Sequence, residues 1–317
     1  MDEVVVVPTV LDDGRPQGTT RPPLRARIAN KFGRPLDLAG ASTKARAHLA
    51  RGGFDVLWVE KALALAPDVV RDARTMKVFA SEDDMTQKHN QSSFFRECLP
   101  HYDLVMTTKP RNAAADGLPR IGAREVLVVP KTFDPELHRP IELSEEERRE
   151  FGSTIAFVGS YERERASDLS RLADAGFDLR VWGNGWAGRD VSPKLVIEGR
   201  PVVGEDYARV LSAAPIHLCF LRKANDDQST GRSVEIPASG ALLVAERTRE
   251  HASLFEEDHE AVFFQGFDEL SSKLATLVDD PETRARIAER GRARVHADGR
   301  SHVSTVDRIL ARLGELR

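Results

Sequence analysis

Short runs of β-branched and other apolar residues recur along the chain, separated by stretches in which apolar positions return every three or four residues. The runs fall at Val4 to Val7, Val56 to Val59, Met76 to Ala80, Asp103 to Thr107, Glu125 to Val129, Thr154 to Val158, Leu179 to Trp182, His217 to Leu221, Ala241 to Ala245 and Val262 to Phe264. They are continuously apolar and do not alternate with polar residues, which is the pattern of parallel strands buried on both faces. Helical spacing predicts helices at Thr43 to Arg51, Arg165 to Ala175, Glu205 to Ala213, Phe267 to Val278 and Pro281 to Ala297. Strands alternating with helices make the fold class α/β.

The chain has 317 residues, more than a single hydrophobic core usually serves, so two domains are expected. Between Pro130 and Gly152 the composition shifts to Pro135, Pro140 and the charged run Glu145 to Glu150, after which a fresh strand begins. The expected boundary lies there, giving domains 1–150 and 151–317. The stretch from Asp12 to Pro23 is rich in Gly, Pro, Thr and Arg and reads as an exposed loop. Because the first apolar run leads into this loop and not into a Gly-rich turn and helix, the N-terminal domain looks abbreviated by a βα unit.

Charge narrows the partners. Lys and Arg total 46 against 50 Asp and Glu, a formal net charge of -4, which favours neither nucleic acid nor an anionic membrane. No apolar run approaches the length of a membrane span, and a leader peptide is not expected. Cys98 and Cys219 lie in apolar surroundings, as reduced core thiols would, so a cytoplasmic location is expected.

Three segments carry candidate chemistry. Gly183-Asn184-Gly185-Trp186-Ala187-Gly188 follows a strand and formally satisfies the dinucleotide fingerprint, but Arg189 to Pro193 beyond it lack the helical spacing that the fingerprint requires. Gly159 ends the strand Thr154 to Val158 and precedes Arg163, Arg165 and a helix, an arrangement that suits an anion; the same arginines could instead pair with Glu162 and Glu164. The polar loop from Asn225 to Gly231 leads to Arg232, Glu235 and a short helix, where Glu235 could accept two ribose hydroxyls or simply complement the helix dipole. His217, inside an apolar strand, reads as a core histidine.

The order Phe157-Val158-Gly159, Glu164-Arg165, Gly183-Asn184-Gly185 and Glu235-Ile236-Pro237-Ala238-Ser239-Gly240-Ala241 resembles the GT-B glycosyltransferases of the family-4-like group, in particular the CgeB-type spore-maturation branch. Trp58-Val59-Glu60-Lys61, Glu82-Asp83-Asp84, Thr108-Lys109, Phe133-Asp134-Pro135 and Glu246-Arg247-Thr248 agree with it. The resemblance implies two Rossmann-like domains facing across a cleft, with an acceptor held by the N-terminal domain and a nucleotide-sugar donor by the C-terminal one. It implies donor contacts by Glu235 on the ribose and by Arg165, beside Gly159, at the diphosphate; Arg163, Arg232, Gly183 and Gly185 are expected to join them from their place at the strand ends and helix starts. Asp227, eight positions before Glu235, matches the first acid of the family's paired-acid motif, where Glu is usual. The place where the family often has a His reads Ser81-Glu82-Asp83-Asp84, which leaves Asp83 and Asp84 as candidate catalytic acids beside Asp227.

A transfer from a nucleotide diphosphate donor to an unknown acceptor is expected, with no cofactor, and metal-independent because no Asp-x-Asp metal motif is present and the arginines supply positive charge; retention is implied by the resemblance alone. Two other readings stay open: a noncatalytic nucleotide-sugar or glycan binding protein on the same fold, and an NAD-dependent oxidoreductase using the turn from Gly183 to Gly188. The C-terminal helix from about Ser304 to Leu316 is compatible with a return to the N-terminal domain or with a homodimer contact.

Overall fold

A computed structural model describes residues 4–9, 23–223 and 227–316. The chain divides into two compact units, residues 1–129 with 312–317, and residues 130–311. The break thus falls some twenty residues before the expected boundary. The reason is packing: the Ile141 amide donates to Ser212 Oγ at 3.1 Å, and Arg209 pairs with Glu147 at 3.0 Å, so the Pro-rich segment belongs to the second unit.

The first unit contains α1 (Leu24–Lys31), α2 (Ala41–Arg51), β1 (Val56–Glu60), α3 (Pro67–Arg71), β2 (Met76–Ser81), α4 (Ser93–Cys98), β3 (Leu104–Thr107), α5 (Pro110–Ala113) and β4 (Val126–Val128). The four strands pair in parallel in the order β1-β2-β3-β4. Val59, Phe79 and Val105 project from three successive strands into one core with Val69, Val70, Phe95, Leu99 and Tyr102. Val4 to Val7, expected as the first strand, lie outside any strand of the structure. A β-branched run needs a partner to become a strand, and here none of the four pairs with it. The loop expected from Asp12 to Pro23 lies, but for its last residue, outside the described residues.

The second unit runs through α6 (Glu145–Phe151), β5 (Ile155–Val158), α7 (Arg163–Asp174), β6 (Leu179–Trp182), β7 (Val196–Ile197), α8 (Gly204–Ala213) and β8 (Ile216–Cys219). It continues with α9 (Arg232–Ala238), β9 (Leu242–Glu246), α10 (Arg249–Leu254), β10 (Val262–Phe264), α11 (Phe267–Asp279), α12 (Pro281–Ala297) and α13 (His302–Glu315), whose last turn belongs to the first unit. Its six strands are parallel in the order β10-β9-β8-β5-β6-β7. Period-2 alternation sends Ile155, Phe157, Leu242 and Val244 to one core and Leu243, Ala245, Cys219 and Phe263 to the core on the other face. That double coverage is why the strands read as unbroken apolar runs. The acidic run begins α6, where Ser144 and Glu147 form a reciprocal capping box. Cys98 and Cys219 are both buried and unpaired, and burial pushes the Cys98 thiol up to about 12. Among the described residues no helix is long and apolar enough to cross a membrane.

Candidate donor site in the second unit

In a parallel sheet the backbone leaves each strand at its carboxyl end with its amides and side chains exposed there, which is where α/β proteins bind ligands. In the second unit that edge collects the turn after β5, the turn after β6 and the loop after β8.

After β5 the chain turns at Gly159 and Ser160 into α7, a twelve-residue helix whose N-cap Glu162 makes no side-chain cap. Its first amides therefore receive no cap from that side chain, although Glu164 stands in the first turn. Glycine is required here by space: a Cβ at Gly159 would stand 2.5 Å from the Phe157 ring. Arg165 lies at the base of this turn, 9% exposed. It donates to Glu162 at 2.9 Å and to the carbonyls of Leu221 and Ser160 at 3.3 and 3.5 Å. The guanidinium thus ties the ends of β5 and β8 together, and the pairing with Glu162 is realised. Burial lowers its pKa, opposed by Glu162 and reinforced by Arg232 and Arg222, so the edge concentrates positive charge. Arg163 stands exposed at the first position of α7.

The turn after β6 does not open a helix; residues 187–195 form turns and irregular backbone. Instead it locks onto the β5 turn. Gly183, at φ +147°, approaches so closely that an added Cβ would lie 2.1 Å from the Gly159 carbonyl oxygen. Trp186 Nε1 donates to that same carbonyl at 2.9 Å, and the Tyr161 amide donates to Asn184 O at 2.8 Å. Gly185, at φ +82°, passes beside Tyr161. The glycines shape the floor of the α7 turn, and the strand-turn-helix geometry of a dinucleotide fingerprint is not formed.

Past β8, residues 224–226 lie outside the described residues, and the Asp227 amide donates to Arg222 O at 3.3 Å. Ser229 Oγ donates to Glu250 at 2.6 Å, Thr248 Oγ1 to Gln228 O at 2.6 Å, and the Leu221 amide to Glu246 Oε2 at 2.7 Å. Ser233 Oγ and His251 Nε2 are 2.8 Å apart in the core, while His251 Nδ1 meets Glu246 O at 2.7 Å. Since a carbonyl only accepts, Nδ1 carries the proton and Ser233 donates to Nε2. This network fixes the start of α9, where Arg232 and Glu235 sit. Arg232 Nε is buried with no hydrogen-bond partner among the described residues. Tyr207, from α8, donates its phenol proton to Glu235 Oε2 at 2.7 Å. Burial and the neighbouring carboxylate push that phenol well above its ordinary value. His138 packs edge-on to Tyr207 at 5.7 Å, and burial lowers its pKa against the opposing pull of Glu235.

The second unit thus brings Gly159, Arg163, Arg165, Gly183, Gly185, Arg232 and Glu235 to the carboxyl edge of one sheet. Tyr207, Ser233 and His251, which sequence reasoning missed, hold Glu235 and the start of α9. The acids of the first unit lie at the carboxyl end of β2. Asp83 pairs with Lys61, which holds an unusual φ of +42° at the end of β1. Asp84 is buried and already committed, accepting from the Thr86 amide at 2.9 Å, Thr86 Oγ1 at 2.6 Å and Gln87 Nε2 at 3.2 Å. It holds the turn, with both oxygens already accepting.

Two parallel α/β units of this kind constitute the GT-B fold of glycosyltransferases. Residues 163–311, which lie wholly within the second unit and begin at the first residue of α7, match the family model described as "Glycosyl transferase-like". Among solved structures, HepE from Anabaena in complex with UDP and glucose superposes with a TM-score of 0.65 at 15% identity, over 88% of this chain and 82% of that one. A glycosyltransferase from Rickettsia africae superposes at 0.63 with 11% identity, over 87% and 81%. Sucrose-phosphate synthase from Thermosynechococcus elongatus does so at 0.60 with 14% identity, over 92% and 78%. No curated protein sequence matches the chain.

Proposed function

We propose that the protein transfers a sugar from a nucleoside diphosphate donor held by its second unit to an acceptor held by its first. The observation that carries this reading is the uncapped N-terminus of α7 beside buried Arg165, on the same sheet edge as Glu235. The helix terminus and the arginines suit a diphosphate, and a carboxylate with one oxygen engaged by Tyr207 keeps the other for ribose hydroxyls. HepE, on the same fold, was solved with UDP and glucose, so uridine is the first base to test.

In this reading the leaving diphosphate is stabilised by the α7 amides with Arg163, Arg165 and Arg232, without a divalent metal. Asp227 contacts the donor sugar. Asp83 faces the acceptor, released from Lys61 as the acceptor hydroxyl arrives, and Asp84 holds the turn that presents it. Transfer proceeds with retention at the anomeric carbon. The test is release of nucleoside diphosphate from a panel of nucleotide sugars with EDTA or Mn²⁺ present. Turnover unchanged by EDTA is expected; turnover that vanishes with chelator and returns with Mn²⁺ would overturn the metal-free reading. Tight donor binding without any release would identify a binding protein.

A further inference from the structure

We propose that the first unit carries a second, noncatalytic site for a neutral saccharide at the amino edge of its sheet, opposite the edge where α/β chemistry is done. Asp55, Thr75 and Asp103 immediately precede β1, β2 and β3, and Arg124 lies two positions before β4. The parallel register sets them in a row: the Met76 amide donates to Asp55 O at 3.1 Å, and the Asp103 amide to Lys77 O at 2.8 Å. Together with Phe54 and Arg74 they line a cavity of about 560 Å³, within the range of small-ligand sites.

The lining decides the ligand class. The lining carries two carboxylates and two guanidiniums, with Lys77 Nζ 3.5 Å from Asp103 as well, so charges of both signs and hydrogen-bond donors and acceptors converge. Saccharide hydroxyls donate to carboxylates and accept from guanidiniums, and a sugar's C–H face lies on an aromatic ring such as Phe54. Arg74 is exposed, whereas Arg124 faces Asp103 at 3.6 Å. Thr75 Oγ1 is buried at this edge with no hydrogen-bond partner among the described residues.

The choice of a saccharide rests on the glycosyl-transfer reading: such a site would hold acceptor or product chain away from the reacting end. The test is an array of neutral and acidic glycans probed with the whole protein and with Arg74→Glu, Phe54→Ala and Glu235→Ala. Neutral glycans are expected to bind the native protein and Glu235→Ala alike, and to bind Arg74→Glu and Phe54→Ala about tenfold more weakly. Nucleotide affinity should be unchanged in the last two. Binding to no neutral glycan, or binding lost only with Glu235→Ala, would overturn the proposal. Glycan binding that persists in a protein without nucleotide affinity would instead count against the transfer reading alone.

Discussion

Glu235 is held by the Tyr207 phenol at 2.7 Å and lies over Gly231, where an added Cβ would stand 2.7 Å from Oε1. Removing a charged partner of a ribose should weaken donor binding by about 1–3 kcal/mol, so Glu235→Ala is expected to raise the donor Kd, and Tyr207→Phe to raise it less. Calorimetric titration checks both. Arg165→Ala should cost more affinity for a nucleoside diphosphate than for the free nucleoside, since a guanidinium acts on phosphate; equal losses would contradict that placement. His217 behaves as a core residue, as its apolar strand implied, yet its Nε2 is buried without a hydrogen-bond partner among the described residues. Burial lowers its pKa from 6.5 to about 4. The unfolded chain takes up a proton below 6.5 and the folded chain only near 4, so stability is full above 6.5 and declines as pH falls through that window. His138 and His251, also lowered by burial, act in the same direction. Denaturant unfolding at pH 7 and pH 5 should show the decline, and His217→Leu should flatten it by up to about 2 kcal/mol.

At the scale of elements, the turns after β5 and β6 form one interlocked piece. Gly183→Ala should destabilise the second unit by about 3 kcal/mol or more, because the clash is with backbone and the φ is one that L residues avoid. A drop in Tm of the unit checks this; a neutral effect would show that the turn is not so tightly set. The elements themselves were largely legible. Leu179 to Trp182, Val262 to Phe264 and Pro281 to Ala297 coincide with β6, β10 and α12, since continuous apolar runs and 3.6-residue spacing report local burial directly. Val4 to Val7 misled because strand formation needs a neighbour that the run itself cannot specify. The two-residue β7 and short α3, α5 and α10 carry too few residues for periodicity to register. Within the site, glycines and arginines could be read from their place between strand and helix. Tyr207, His138, Ser233 and His251 could not, because their contacts join residues 18 to 69 positions apart that only the fold brings together.

For the whole molecule, the last turn of α13 returns the chain to the first unit, where Arg312 pairs with Glu125 at 2.5 Å and Leu313 is buried. Deleting residues 312–317 should lower the melting transition of the first unit and leave that of the second in place, which differential scanning calorimetry resolves. A single unshifted transition would contradict the division. The boundary near 150 followed composition, whereas the structural break follows where the Pro-rich segment packs. We propose that the second unit holds a nucleoside diphosphate between α7 and Glu235. It is tested most directly by titrating the native protein and Glu235→Ala with UDP and the other nucleoside diphosphates. Saturable binding selective for one base is expected, weakened about tenfold or more by the substitution. Absence of binding to every nucleoside diphosphate, or equal affinity in the variant, would contradict it.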